Sequence, residues 1–202
     1  MTKDDNFLQL DFGLSDKEIY FIGQIVALWG ALEHEIFNQT LLTFDGLDGN
    51  EIVLPKEMNN LQFTGILEQW KKRVVDKVKG ERAVTLQQQL HQINNLKEYR
   101  NALVHGMWKW SSSNLNRIST VRIRKKEIIT VHFTVDDLQD FYNKLAGINF
   151  KIRYPGGLQD LASERAEHGF HISRRFLSMI TDNSVADDWL SKVVVQKDKL
   201  NE

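Results

Sequence analysis

Apolar residues recur at three- and four-residue intervals through the first half of the chain, and a clear two-residue alternation follows only at about 117–134. The pattern therefore predicts a mainly α protein with one β-hairpin. Ile22, Val26, Trp29, Ile36 and Thr40 form the first stripe, and Ser15 with Glu18 has capping-box spacing, so a long helix is predicted over 15–44. Glu33 falls inside that stripe, four residues after Trp29 and three before Ile36. Asp45, Gly46, Asp48 and Gly49 break the helix. A second helix is predicted over about 61–79, with Phe63, Leu67, Trp70, Val74 and Val78 on one face and Gly80 as its stop. A third, over about 82–105, points Leu86, Leu90, Ile93, Leu96, Leu103 and Val104 inward and has Gly106 at its C-cap.

Val121 and Ile123, then Ile129, Val131 and Phe133, alternate with polar residues across Lys125, Lys126 and Glu127, which reads as the hairpin. Thr134 with Asp137 predicts the N-cap of a short helix through Leu138, Phe141, Tyr142 and Leu145. Pro155, Gly156 and Gly157 mark a loop, and a last core helix is predicted over about 158–180. Val185, Trp189 and Val193 suit one more helix in the tail. With no repeat or low-complexity linker, the chain reads as one domain over 1–202. Its core helices occupy about 15–110, the hairpin about 117–134, the C-terminal helices about 135–182 and the tail 183–202.

At 202 residues, 42 % hydrophobic and 26 % charged, the chain is long enough for a core without metal or disulfide staples. The lack of cysteine removes disulfides, thiolate nucleophiles and Cys-based zinc sites, and suits a reducing compartment. The stretch Met1 to Asp5 lacks the apolar core of a secretory signal, and Ile25 to Leu32 is too short to cross a bilayer. The expected location is cytoplasmic, with no membrane partner. The net charge of −1 conceals an asymmetry. Between Lys97 and Glu127, eight basic residues face only Glu98 and Glu127, so this segment carries +6 and the remainder −7. Such a segment suits a phosphate backbone; equally, it suits a solvated hairpin edge kept soluble by Arg and Lys.

The most concentrated chemistry lies at the end of the third helix, in Arg100, Asn101 and His105. Arg is a permanent cation with a planar donor fork that fits phosphate oxygens. His exchanges a proton near neutral pH, and Asn holds either partner by hydrogen bonds. Those roles suffice for metal-free RNA cleavage, with His acting on the 2′-hydroxyl or leaving oxygen and Arg on the charged phosphorus centre. The competing reading is an Arg and a His that cap a helix and pair with acids such as Glu33. Arg100 and His105 are about 140° apart around an ideal helix. One straight helix does not easily aim both at one phosphate, whereas two copies about a symmetry axis could.

The run Arg100, Asn101, Ala102, Leu103, Val104, His105 resembles the signature of the HEPN (higher eukaryotes and prokaryotes nucleotide-binding) family: Arg, a polar residue, three further positions, then His. The resemblance takes in the long first helix with its inward Glu33 and covers roughly 15–110. It implies a HEPN-like antiparallel helical bundle, here with an appended β-hairpin, and a homodimer whose motifs face each other across the two-fold axis. For active members it implies an endoribonuclease needing no metal or cofactor and leaving a 2′,3′-cyclic phosphate, often as a toxin or defence effector. On that reading His105 is acid or base, Arg100 holds the phosphate, Asn101 orients and Glu33 positions Arg100. Lys97, Lys109, Arg122, Arg124, Lys125 and Lys126 would bind RNA, and a protein antitoxin or regulator is a candidate partner. The alternative is a catalytically inactive HEPN-like module binding RNA, a nucleotide or a protein. Members silenced by nucleotide transfer carry a tyrosine where Met107 stands, so that control is not expected.

Other signals are weaker. His34 and Glu35 begin a zinc-protease pattern that Asn38 interrupts. His168 and His171, near Glu164 and Glu167, have metal-compatible spacing but read as surface residues. Arg165 and His171 repeat the motif's loose spacing with nonpolar Ala166 in the polar slot. Trp108 and Trp110 flank Lys109 and read as packing more than base-stacking residues, as does Tyr99.

Overall fold

The computed structural model describes residues 13–44, 54–111, 114–124 and 127–169. Among these the chain is mainly helical, with α1 (Asp16–Leu41), α2 (Phe63–Trp70), α3 (Glu81–His105), α4 (Val135–Arg153) and α5 (Leu158–Glu167). Strands β1 (Met107–Ser111), β2 (Asn114–Arg124) and β3 (Glu127–Phe133) form one antiparallel sheet in that order. None of the described helices is long and apolar enough to cross a membrane.

The two predicted caps are in place. Ser15 Oγ accepts from the Glu18 backbone N–H at 3.4 Å, and the Glu18 carboxylate accepts from Ser15 N at 2.6 Å. At α4, Asp137 Oδ2 accepts from both the backbone N–H and hydroxyl of Thr134 at 2.8 Å, and Thr134 Oγ1 accepts from Asp137 N. Each box satisfies donors that a helix start otherwise leaves unpaired. The helix at α4 is not short: it runs 19 residues and buries Leu138, Phe141, Leu145, Ile148 and Ile152. α1 packs mainly along α4, with α2 beside it, and α3 lies against α4 and β2.

Several expectations shift by a fraction of a turn. On α1 the buried line is Ile25, Trp29, Leu32, Ile36 and Thr40, while Val26 is exposed. The second helix does not continue as α-helix to residue 79. After Trp70 it widens into a π turn over Lys71–Val75, closed by Asp76 N donating to Lys71 O at 2.8 Å. The wide turn admits about one extra residue, so Val75 is fully buried and Val74 only partly. Gly80 is the N-cap of α3, at φ +71°, a conformation glycine adopts without steric cost. Within α3, Val104 is 40 % exposed and Ala102 fills the buried position instead.

The appended element is a three-stranded sheet, not a hairpin. β1 begins directly after Gly106 and pairs with β2, setting Trp108 opposite Thr120. In the β2–β3 register Ile118 faces Phe133 and Thr120 faces Val131. Ile118, Thr120 and Phe133 are buried, so this row meets the helices. Val121 pairs with Thr130 and therefore belongs to the opposite row, away from Val131 and Phe133. α5 ends at Glu167, short of the predicted 180, with Gly169 at φ +76°. His171, the tail helix, Lys125 and Lys126 lie outside the described residues.

Candidate active site

The site forms where the last turns of α3 cross the middle of α1. α3 supplies Arg100, Asn101 and His105, and α1 supplies Trp29 and Glu33. Trp29 is buried, and its indole Nε1 donates to Glu33 Oε1 at 2.8 Å. This fixes the carboxylate one turn further along α1. Arg100 Nη2 lies 3.7 Å from that same oxygen, and Arg100 Cζ sits 5.7 Å from the Trp29 ring centroid. Phe63 packs edge-on against the Trp29 ring, 5.8 Å between centroids.

The other side of the guanidinium reaches the motif's remaining members. Arg100 Nη1 donates to Asn101 Oδ1 at 3.3 Å and approaches His105 Nε2 at 3.4 Å. No second chain is needed to bring Arg100 and His105 together. An arginine side chain is long enough to run along the helix and close an angular gap that separates only the Cβ atoms. Since a guanidinium only donates, the contact requires a lone pair on Nε2, with the ring proton on Nδ1. Arg100 is 23 % exposed at its side chain and Glu33 34 %, while His105 is exposed. The cluster therefore has a buried root and an open rim. Arg100 Nε is buried without a hydrogen-bond partner among the described residues.

Gly106 sets where His105 ends up. Its N–H closes the helix on Ala102 O at 3.0 Å, and the chain turns at once into β1 at φ −80°, ψ 150°. The glycine is required by space, not by φ. A Cβ here would stand 2.4 Å from Ala102 O and 2.6 Å from Thr120 Cβ. Close approach of β2 to the helix end depends on that missing atom.

The other proposed contacts within the described residues are spread over α3, β1 and β2. Lys97 Nζ donates to Thr64 Oγ1 at 3.1 Å and so leans towards α2. Lys109, Arg122 and Arg124 occupy β1 and β2, opposite Ser119, Ile129 and Glu127 respectively; only their backbones are described. Trp108 packs against the core, whereas Tyr99 is half exposed, contrary to its reading as packing. Among the described residues no group of three or more metal-ligating side chains converges. His34 is instead paired with Asn38 at 2.9 Å. Trp29 joins the cluster as well, and its one signal in the sequence is the four-residue spacing to Glu33. No protein-family model, curated protein or solved structure matches the chain.

Proposed function

We propose that the protein is a metal-independent endoribonuclease of the HEPN type, built on a HEPN-like bundle and acting as a homodimer in the cytoplasm, with Arg100, Asn101, His105 and Glu33 as its site. The observation that carries the reading is the meeting of a guanidinium, an amide and an exposed imidazole within 3.4 Å, backed by a tethered carboxylate. His105 Nε2 takes the proton of a ribose 2′-hydroxyl, and the 2′-oxygen attacks phosphorus. The bond from phosphorus to the 5′-oxygen breaks, that oxygen takes up a proton, and the strand ends in a 2′,3′-cyclic phosphate. Arg100 stabilises the charge on the phosphoryl oxygens, and Asn101 and Glu33 hold the guanidinium in position. An incoming phosphate replaces the long contact to His105 with a shorter charge-assisted one, which frees Nε2 for the proton. Lys97, Lys109, Arg122, Arg124, Lys125 and Lys126 extend the strand's path, and a toxin or defence role with a protein regulator accords with such an activity.

The test is incubation of labelled RNA in EDTA with wild-type protein and His105→Ala. Loss of a general base typically costs 10²–10⁴ in rate, so the variant should leave the RNA intact over the wild-type time course while melting at the same temperature. Equal cleavage by both proteins refutes the assignment. RNA that wild type retains without cutting identifies the inactive binding module instead.

A further inference from the structure

We propose that the open cleft beside the wide turn of α2 binds the phosphate group of a nucleotide, free or within an RNA strand. The cleft, of about 380 Å³, is lined by Glu57, Gln69, Lys72, Arg73 and Lys77. That volume lies towards the lower end of sites that take small organic ligands. Three cations face one carboxylate. Among the described residues no ion pair engages Lys72, Arg73 or Lys77, whereas the adjacent Lys71 is paired with Asp76 at 2.9 Å. Three like charges around one concavity repel one another, and an anion at their centre removes that cost.

The local backbone builds the arrangement. Gln69, Arg73 and Lys77 follow at four-residue steps, which drift by about 40° per step around an ideal α-helix. The π turn over Lys71–Val75 sets the later residues back by about one position, returning Lys77 to the side of Gln69 and Arg73. Arg73 is also held in place: its Cζ lies 3.5 Å from the centroid of the Phe44 ring. Stacking fixes the guanidinium plane and leaves its edge donors for two oxygens of one phosphate. Gln69 and Glu57 add an amide and a carboxylate. A carboxylate accepts from a ribose hydroxyl or a base amine but repels a bare anion, so the set suits a nucleotide better than inorganic phosphate. Thr64, the α2 residue that meets Lys97, lies near the other end of α2, and the cleft is independent of the proposed cleavage site.

The full chain carrying His105→Ala, which removes the proposed proton-transfer group, is titrated in EDTA with adenosine monophosphate and with a short fluorescein-labelled uridine strand. Lys72→Gln/Lys77→Gln is compared with Lys17→Gln/Lys144→Gln, which deletes two exposed charges from α1 and α4. The cleft variant should weaken at least one ligand by about tenfold or more while the control changes little, with both melting as the parent does. A strand-only loss, with the salt slope reduced by about 1.4 for two single-strand phosphate contacts, assigns RNA. Loss of the mononucleotide assigns a free nucleotide. Absence of binding by both ligands, or equal weakening by the two double variants, overturns the proposal whatever the outcome of the cleavage assay.

Discussion

Replacing Gly106 with alanine adds one carbon at the point where the helix bearing His105 meets the sheet. That carbon would stand 2.4 Å from Ala102 O and 2.6 Å from Thr120 Cβ, about 1 Å inside ordinary non-bonded contact. Neither neighbour yields easily. Ala102 O is backbone and already accepts the helix-closing bond from Gly106 N, and Thr120 is 1 % exposed. Overpacking of this kind costs about 1–3 kcal/mol, and loss of the closing bond adds about 0.5–1.5 kcal/mol. Gly106→Ala should therefore destabilise the protein by about 2–4 kcal/mol. Gly147 in α4 supplies the comparison, because a Cβ there meets nothing within 4 Å among the described residues. Gly147→Ala should stabilise by about 0.5–1 kcal/mol through helix propensity. Urea denaturation followed by tryptophan fluorescence reads both. With a slope of about 1–3 kcal/mol per molar, the midpoint for Gly106→Ala should fall by about 1 M or more, and that for Gly147→Ala should rise. Near-identity of Gly106→Ala with wild type, or matching losses from both substitutions, would refute the steric account.

Trp29→Phe keeps an aromatic side chain but removes the indole donor to Glu33 and the volume of one ring at a buried position; a hydrogen bond to a charged group alone is worth about 1.5–3 kcal/mol, so urea midpoints should fall, and RNA affinity should weaken if Glu33 positions Arg100. Thr120→Val removes a buried hydroxyl oxygen that has no partner among the described residues and should raise stability by about 1 kcal/mol; a loss would mean that the hydroxyl is satisfied. The carboxyl of Asp137 is held below its ordinary value first by the Thr134 backbone N–H and then by the Thr134 hydroxyl. A depressed folded value contributes stability that is fully present above the unfolded value of about 3.9 and is lost as pH falls through the folded one. Denaturation midpoints for wild type and Asp137→Asn should therefore differ most above pH about 4 and converge below it; a gap that persists unchanged into strong acid contradicts the assignment.

Where local chemistry decided the structure, the sequence was legible. The capping pairs Ser15–Glu18 and Thr134–Asp137 start α1 and α4 because a side-chain oxygen and an orphan backbone donor are only three residues apart. What escaped depended on contacts across the chain. β1 is only five residues long, and on sequence alone Trp108 and Trp110 read as packing aromatics on either side of Lys109. It becomes a strand because Gly106 lets β2 approach and pair with it. The faces of β2 and β3 depend on register, which alternation alone does not supply. The π turn moved Val75 inward through backbone bonding with no residue signature. The motif marks Arg100, Asn101 and His105 as neighbours but leaves their geometry open: Arg100 reaches His105 within one chain because side-chain length outweighs the angle between Cβ positions.

The measurement that bears most directly on the cluster's proposed chemistry is single-turnover cleavage of an RNA strand and its 2′-deoxy counterpart in chelator, with the product ends analysed. If the His105 imidazole activates the 2′-oxygen beside the Arg100 guanidinium, only the ribose strand is cut, its fragments end in 2′,3′-cyclic phosphate, and Arg100→Ala abolishes both signals. Cutting of the deoxy strand, or cyclic phosphate produced equally without Arg100, would contradict that chemistry.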